Sequence, residues 1–350
     1  MVTNHPAMDA LEEFVPFSFF SFLTGTFLYA FREFYVVLLN VGKFEDGRTG
    51  YVNYGFWNEG PSTKTPSANL AKAVIEQLDI QVLNKHARNG RVNLLEIGCG
   101  LGQPAIDAVN SLGTFPPRVR PHSLLTQHLP GPNVNVTGVS INQGHVATAN
   151  KLAASAGLSS KITHHFLNAT KIDTLQSAPF SGAYSCEVLA EIPDDGLRAC
   201  FAALHDILPP GAEFSYADIV RAEATSTPRA NSENFTDKSQ GTFKRLLLSI
   251  VSTAVVMMSG DEWRPASRFN SLLTQAGFEI LSTESIGDRV FPPAWDHAQE
   301  RMKERPSMGV DNVRFGGWLA RLLIRVILGG LVLLWEGRQV DYVLVKARRA

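Results

Sequence analysis

The run Leu94-Leu95-Glu96-Ile97-Gly98-Cys99-Gly100-Leu101-Gly102 sets one carboxylate beside three glycines at alternate positions. Glycine lets a chain turn tightly and lets a ligand lie against bare backbone. An apolar strand that ends in an acid, then such a turn, then a helix starting at Gln103, is how open α/β sheets receive nucleotide-like ligands. The string differs from the dinucleotide fingerprint Gly-x-Gly-x-x-Gly, because position 103 is Gln. Other groups able to do chemistry fall after later strands: Glu187, Glu191 and Asp218. Carboxylates at the carboxyl ends of parallel strands face the ligand crevice.

The remaining reactive side chains say less. His164 and His165 are adjacent in an expected strand, so they point to opposite faces and do not form a pair. His145 lies early in an expected helix, and an exposed position is its simpler reading. Cys99, Cys186 and Cys200 are far apart, without metal-type spacing, and imply a reduced, cytoplasmic context. No cluster of metal ligands is visible, and no metal is expected.

These groups need a scaffold, and the patterning supplies one. Strands are expected near 92–97, 134–140, 162–167, 180–186, 212–219, 277–285 and 340–347. Helices are expected near 103–112, 143–156, 195–207 and 265–276, with another over Ala68–Leu83 capped by Ser67. This alternation predicts an α/β fold: a doubly wound, seven-stranded, mostly parallel sheet with helices on both faces. The domain runs over 61–350, with inserts at 113–133, 221–262 and 288–338. Residues 1–60 are expected to form an apolar helical cap or a membrane-contact segment. The 350 residues carry a net charge of -1, which argues against nucleic acid as a partner. Hydrophobic content of 45% suits a globular protein with ample core.

Two greasy stretches stand out, 14–41 and 313–335. Each reads as a helix packed on the core or as an in-plane membrane helix, with a span as a further reading of the first and lipid-substrate contact of the second. Peripheral membrane contact through both is therefore an open reading. Acidic Asp9, Glu12 and Glu13 precede the first stretch, unlike the basic start of a secretory signal.

Taken together, the motifs resemble class I S-adenosylmethionine (SAM) methyltransferases, in the branch that acts on small molecules. That branch holds sugar O-methyltransferases, sarcosine-type N-methyltransferases, and sterol and tocopherol C-methyltransferases. The likeness rests on Leu-Leu-Glu-Ile-Gly-Cys-Gly-x-Gly, on Tyr54-Gly55-Phe56-Trp57, on Val136–Ser140, on Asn168-Ala169, on Cys186–Asp194 and on Leu208-Pro-Pro-Gly211. It implies the Rossmann-like fold and SAM as cofactor. It further implies that Glu96, Gly98, Gly100, Gly102 and Gln103 surround the methionine and ribose. Ser140, Ile141 and Asn142 replace the usual ribose-binding acid. Asn168 stands where an Asp commonly faces the adenine amino group, followed by Ala169, and an amide oxygen can still accept that bond. Glu187 lies next to the transferring methyl, and Tyr54, Phe56 and Trp57 close over the acceptor.

The sugar enzymes often carry a histidine in the segment here held by Ala190-Glu191. Its absence leaves Glu191 and Asp218 as the groups to accept or steer an acceptor proton. Oxygen transfer is slightly favoured over carbon or nitrogen, onto a lipophilic natural-product or lipid acceptor. A SAM-dependent cyclase or rearrangement enzyme on the same fold, and a non-catalytic SAM-binding protein, are the alternatives. The sequence leaves the oligomeric state open.

Overall fold

The computed structural model describes residues 51, 53–60, 65–114, 133–175, 179–223, 264–303 and 328–350. The expectations for the first fifty residues, for 115–132 and 224–263 in the first two inserts, and for 304–327, which includes most of 313–335, lie outside these residues.

Seven strands form one sheet: β1 (Arg91–Ile97), β2 (Asn133–Ser140), β3 (Ile162–Phe166), β4 (Gly182–Cys186), β5 (Glu213–Arg221), β6 (Phe278–Ser285) and β7 (Val340–Arg349). Their order is β3-β2-β1-β4-β5-β7-β6, and β7 runs antiparallel to both of its neighbours. The expected mostly parallel, doubly wound sheet is what the chain builds. Strand order reverses between β1 and β4, the place where open α/β sheets bind ligands.

Helices cover both faces: α1 (Pro66–Glu76), α2 (Ile80–Lys85), α3 (Gln103–Thr114), α4 (Gln143–Ser155), α5 (Asp194–Ile207), α6 (Ala266–Gln275) and α7 (Phe291–Lys303). On one face Val92 and Leu94 of β1 pack with Leu70 and Val74 of α1 and Ala105 and Val109 of α3. On the other, Leu95 and Ile97 pack with Leu197, Phe201 and Leu204 of α5 and Phe269 and Leu272 of α6. Successive β1 residues thus serve opposite layers, and only Glu96 interrupts the apolar run from Leu94 to Ile97.

The structure corrects two local expectations. The helical pattern over Ala68–Leu83 is two helices rather than one. Glu213 accepts the Asp79 N–H at 2.7 Å, and the Asp79 carboxylate caps α2 through the Gln81 N–H. Ser67 is not the cap of the first helix: α1 begins at Pro66, and Ser67 is buried against Asn53 inside it. In the second greasy stretch, residues 328–336 are helical, and Leu328, Leu331, Val332 and Leu334 are buried in the core. No helix among the described residues is long and apolar enough to cross a membrane.

Candidate active site

At the carboxyl end of β1 the chain makes a turn that only glycine accommodates well. Gly98, Gly100 and Gly102 have φ of +80°, +49° and +91°. Two of the three also serve packing. A Cβ on Gly98 would stand 2.0 Å from Val188 Cγ2, and one on Gly102 would stand 2.6 Å from the Ala149 Cβ. The first glycine lets the turn close against the loop after β4, and the third lets α3 approach α4. The Gly98 and Cys99 N–H groups both donate to the Val139 carbonyl, fixing the turn to β2.

A cleft lies over this turn, lined by Asn53, Glu96, Gly98, Gly100, Leu101 and Cys186 among others. Glu96 is 2% exposed. Burial pushes its carboxyl above the ordinary value, against the opposing pull of His164. Its Oε2 has no hydrogen-bond partner among the described residues. Asn53 is equally buried. Its Nδ2 donates to the Ser67 carbonyl at 3.1 Å, which fixes the amide orientation. Its Oδ1 then remains without a partner among the described residues. A buried carboxyl and an amide oxygen without a partner, lining one cleft, fit a ligand that brings donors and positive charge, as an aminoacyl ammonium does. Asn53 was not singled out by motif reading: a lone Asn in an aromatic loop carries no local signal.

The other expected cofactor contacts ring the same end of the sheet. Ser140 Oγ accepts the Asn142 N–H, and Asn142 Oδ1 caps α4 through the His145 N–H. Between them Ile141 is 66% exposed, a large apolar side chain left open. Asn168 Oδ1 accepts the Thr170 N–H at 3.0 Å, so one lone pair is spent holding the turn that contains Ala169. The Gln103 side chain bonds Asp107 one helical turn on.

Beyond β4 stands Glu187, in the left-handed region at φ +57°, a costly conformation for a non-glycine residue that clusters at sites. Its Oε1 accepts the Tyr54 N–H at 2.7 Å and the Tyr342 hydroxyl at 2.6 Å. Glu187 therefore clamps the Tyr54 loop beside the cleft, next to the lining residues Asn53 and Cys186. Glu191 is exposed on the short helical turn Leu189–Glu191. Asp218, expected after β5, lies inside that strand and pairs with Val343; it is 3% exposed, with Oδ2 accepting the Ala190 N–H and Oδ1 accepting the Ile219 N–H.

The aromatic loop divides. Tyr54 and Phe56 are half-buried, with the Arg289 guanidinium 4.9 Å from the Phe56 ring centre. Trp57, expected over the acceptor, sits in the core instead: it is 1% exposed, its Nε1 donates to the Tyr54 carbonyl, and its ring lies 4.9 Å from that of His297. The thiols of Cys99 and Cys186 are pushed up by burial and stay protonated, so they are not nucleophiles. Among the described residues no group of side chains could hold a metal ion.

Sheet order, glycine turn and helices define the fold of class I methyltransferases. No protein-family profile matches the chain. An O-methyltransferase of Pyrenophora dematioidea is 24% identical over 247 residues, 71% of this chain and 75% of that protein. The 27-O-demethylrifamycin SV methyltransferase of Amycolatopsis mediterranei is 24% identical over 301 residues, 85% of this chain and 89% of that protein. Among solved structures, a geranyl diphosphate methyltransferase in complex with GPP and sinefungin superposes with a TM-score of 0.61 at 12% identity, covering 93% of this chain and 99% of that one. The [4+2]-cyclase SpnF superposes with a TM-score of 0.56 at 20% identity, covering 91% and 94%. Sequence relatives and fold together support a methyltransferase that uses SAM.

Proposed function

We propose that the protein transfers the methyl group of SAM to a small, lipophilic natural-product or lipid acceptor, with oxygen as the acceptor atom. The observation that carries this reading is the cleft over the glycine turn, lined by buried Glu96 and by buried Asn53, whose Oδ1 has no hydrogen-bond partner among the described residues. The names of the relatives support oxygen as the atom methylated and a natural product as acceptor. When bound, SAM supplies an electrophilic methyl on a sulfonium, which leaves as a neutral thioether.

Holding and aligning the reactants provides much of the rate for such a transfer. Glu96 and Asn53 would take the cationic aminoacyl end, and the backbone of Gly98 and Gly100 would lie along the ligand. Ser140, Ile141 and Asn142 would meet the ribose, and Asn168 and Ala169 the adenine. Ile141 offers an apolar face, and Asn168 Oδ1 retains a second lone pair. Glu187 acts by holding Tyr54 over the cleft, and Tyr54 with Phe56 would border the acceptor. Glu191, exposed at the rim, is our choice for the group that takes the acceptor proton. Asp218, whose oxygens are committed to backbone N–H groups, holds the Glu191 turn in place.

Incubation with methyl-labelled SAM and a cell extract tests the proposal. A labelled lipophilic ether or ester is expected. Label on carbon would redirect the reading to C-transfer. A SAM-requiring product with no added methyl would favour a cyclase or rearrangement enzyme, a reading kept open by the missing histidine at Ala190-Glu191.

A further inference from the structure

Glu96 is not alone in its row of the sheet. In register across the strands lie His164 of β3, Gly138 of β2, Glu96 of β1 and Tyr184 of β4. Residues in register on parallel strands point to the same face. Gly138 is the gap in this row: a Cβ there would lie 2.4 Å from His164 Cδ2 and 3.2 Å from Glu96 Oε2. Because the gap is empty, the two side chains meet across β2, with His164 Nε2 3.8 Å from Glu96 Oε2. Both residues are buried, and neither atom has a hydrogen-bond partner among the described residues.

The far side of the imidazole sets its tautomer. Asn150 brackets the His164 backbone, its Nδ2 donating to the carbonyl at 3.0 Å and its Oδ1 accepting the N–H at 2.9 Å. That same Oδ1, an acceptor, lies 3.3 Å from His164 Nδ1. Nδ1 therefore carries a hydrogen, and in the neutral ring Nε2 presents a lone pair toward Glu96. A lone pair facing a buried carboxylate is repulsive unless a proton stands between them. Other titratable groups near Glu96 are Asp107 of α3, Tyr184 of β4, and Cys99 and Cys186 at the strand ends. Burial keeps the phenol and both thiols protonated, and Asp107 adds negative charge.

We propose that His164 is a positioning residue that takes the Glu96 proton when the cationic cofactor binds, so that Glu96 becomes a carboxylate without releasing a proton to solvent. The two atoms close from 3.8 Å to hydrogen-bond distance, and the proton moves from Glu96 Oε2 to His164 Nε2, leaving an imidazolium beside a carboxylate, so that the charge of the pair stays zero. This rests on the SAM reading of the cleft. Glu96 then tolerates burial while unliganded, and faces the ligand cation as a full charge.

The test is the affinity for SAM measured by calorimetry between about pH 6 and about pH 8. In the wild-type protein the proton stays within the pair, and the Kd is expected to be nearly flat. In His164→Asn the proton must leave, so Kd should weaken by up to roughly tenfold per pH unit as pH falls below the raised value of Glu96. Glu96→Gln combined with His164→Asn should bind weakly and without pH dependence. Wild-type affinity with a flat profile in His164→Asn would overturn the inference. Nitrogen-15 spectra of histidine-labelled wild-type protein give a second readout that needs no variant for its outcome. With S-adenosylhomocysteine bound near neutral pH, both ring nitrogens of His164 should be protonated, and a neutral ring overturns the proposal. A wild-type protein that binds no SAM at any pH refutes the cofactor reading itself, whereas binding with either contrary result refutes only the proton transfer.

Discussion

The Tyr342 hydroxyl donates to Oε1 of Glu187 at 2.6 Å, and the same oxygen accepts the Tyr54 N–H. One carboxylate atom thus ties the antiparallel strand β7 to the loop that borders the cleft. Burial, and then the nearby Glu187 charge, push the Tyr342 phenol far above its ordinary value, so it remains a donor throughout the working range.

Replacing Tyr342 by Phe removes a hydrogen bond to a charged acceptor and should cost about 1.5–3 kcal/mol of stability by denaturant titration. Glu187→Ala frees the Tyr54 loop as well. It should weaken SAM binding and lower kcat together, whereas Tyr342→Phe should leave kcat within a few-fold of wild type.

Gly98→Ala meets Val188 and forces alanine into a left-handed backbone. Overpacking should cost about 1–3 kcal/mol, and the conformation about 1–2 kcal/mol more. Adding Val188→Ala relieves only the steric part. A double variant as stable as wild type in thermal unfolding would show that the turn does not require glycine at 98.

At the opposite end of β5, fully buried Glu213 receives Lys346 at 3.0 Å and the Asp79 N–H at 2.7 Å. Glu213→Ala strands both of these donors, and Arg348 at 3.5 Å, and should destabilise the fold by about 3–5 kcal/mol. Since this residue lies away from the cleft, the affinity of the remaining folded protein for SAM should be unchanged.

Asp218→Asn and Glu191→Gln separate positioning from proton transfer. An Asn side chain keeps one acceptor oxygen and sets an NH2 against a backbone N–H. Asp218→Asn should lower kcat by roughly tenfold or more while preserving the shape of the pH profile. Glu191→Gln should lower kcat by about 100-fold and remove the acidic limb of that profile. Full activity with an unchanged profile in Glu191→Gln would eliminate it as the proton acceptor.

Asp194, at the start of α5, accepts from Arg264 on Oδ1 and from two N–H groups of Arg268 on Oδ2. Burial acts to raise its carboxyl, but the hydrogen bonds from Arg268 and Arg264 outweigh it and hold the group below the ordinary value. A depressed carboxyl contributes stability above its unfolded value, near pH 4, and loses it as pH falls through the folded one. The melting temperature of Asp194→Asn should therefore lie below wild type at neutral pH and converge with it in acid.

Much of this fold was legible because its signals are local. Apolar runs bounded by glycine and proline marked all seven strands, and Glu96 with its three glycines marked the carboxyl end of β1, where the cleft lies. Alternation correctly set His164 and His165 on opposite faces, one buried and one exposed. Other features depended on partners distant in sequence. The helix over Ala68–Leu83 breaks because Glu213, far along the chain, takes the Asp79 N–H. Trp57 left the cleft for the core because α7 brings His297 against it. Residues 328–335 are as greasy as a membrane-surface helix, yet Leu328, Leu331, Val332 and Leu334 are buried in the core. Asn53 reached the cleft through its bond to Ser67, and His164 reached Glu96 only because β2 carries a glycine between them. Periodicity and turn chemistry act over a few residues and can be read in order. Which buried oxygen lacks a donor, and which histidine stands beside it, is decided only when separate strands come into register.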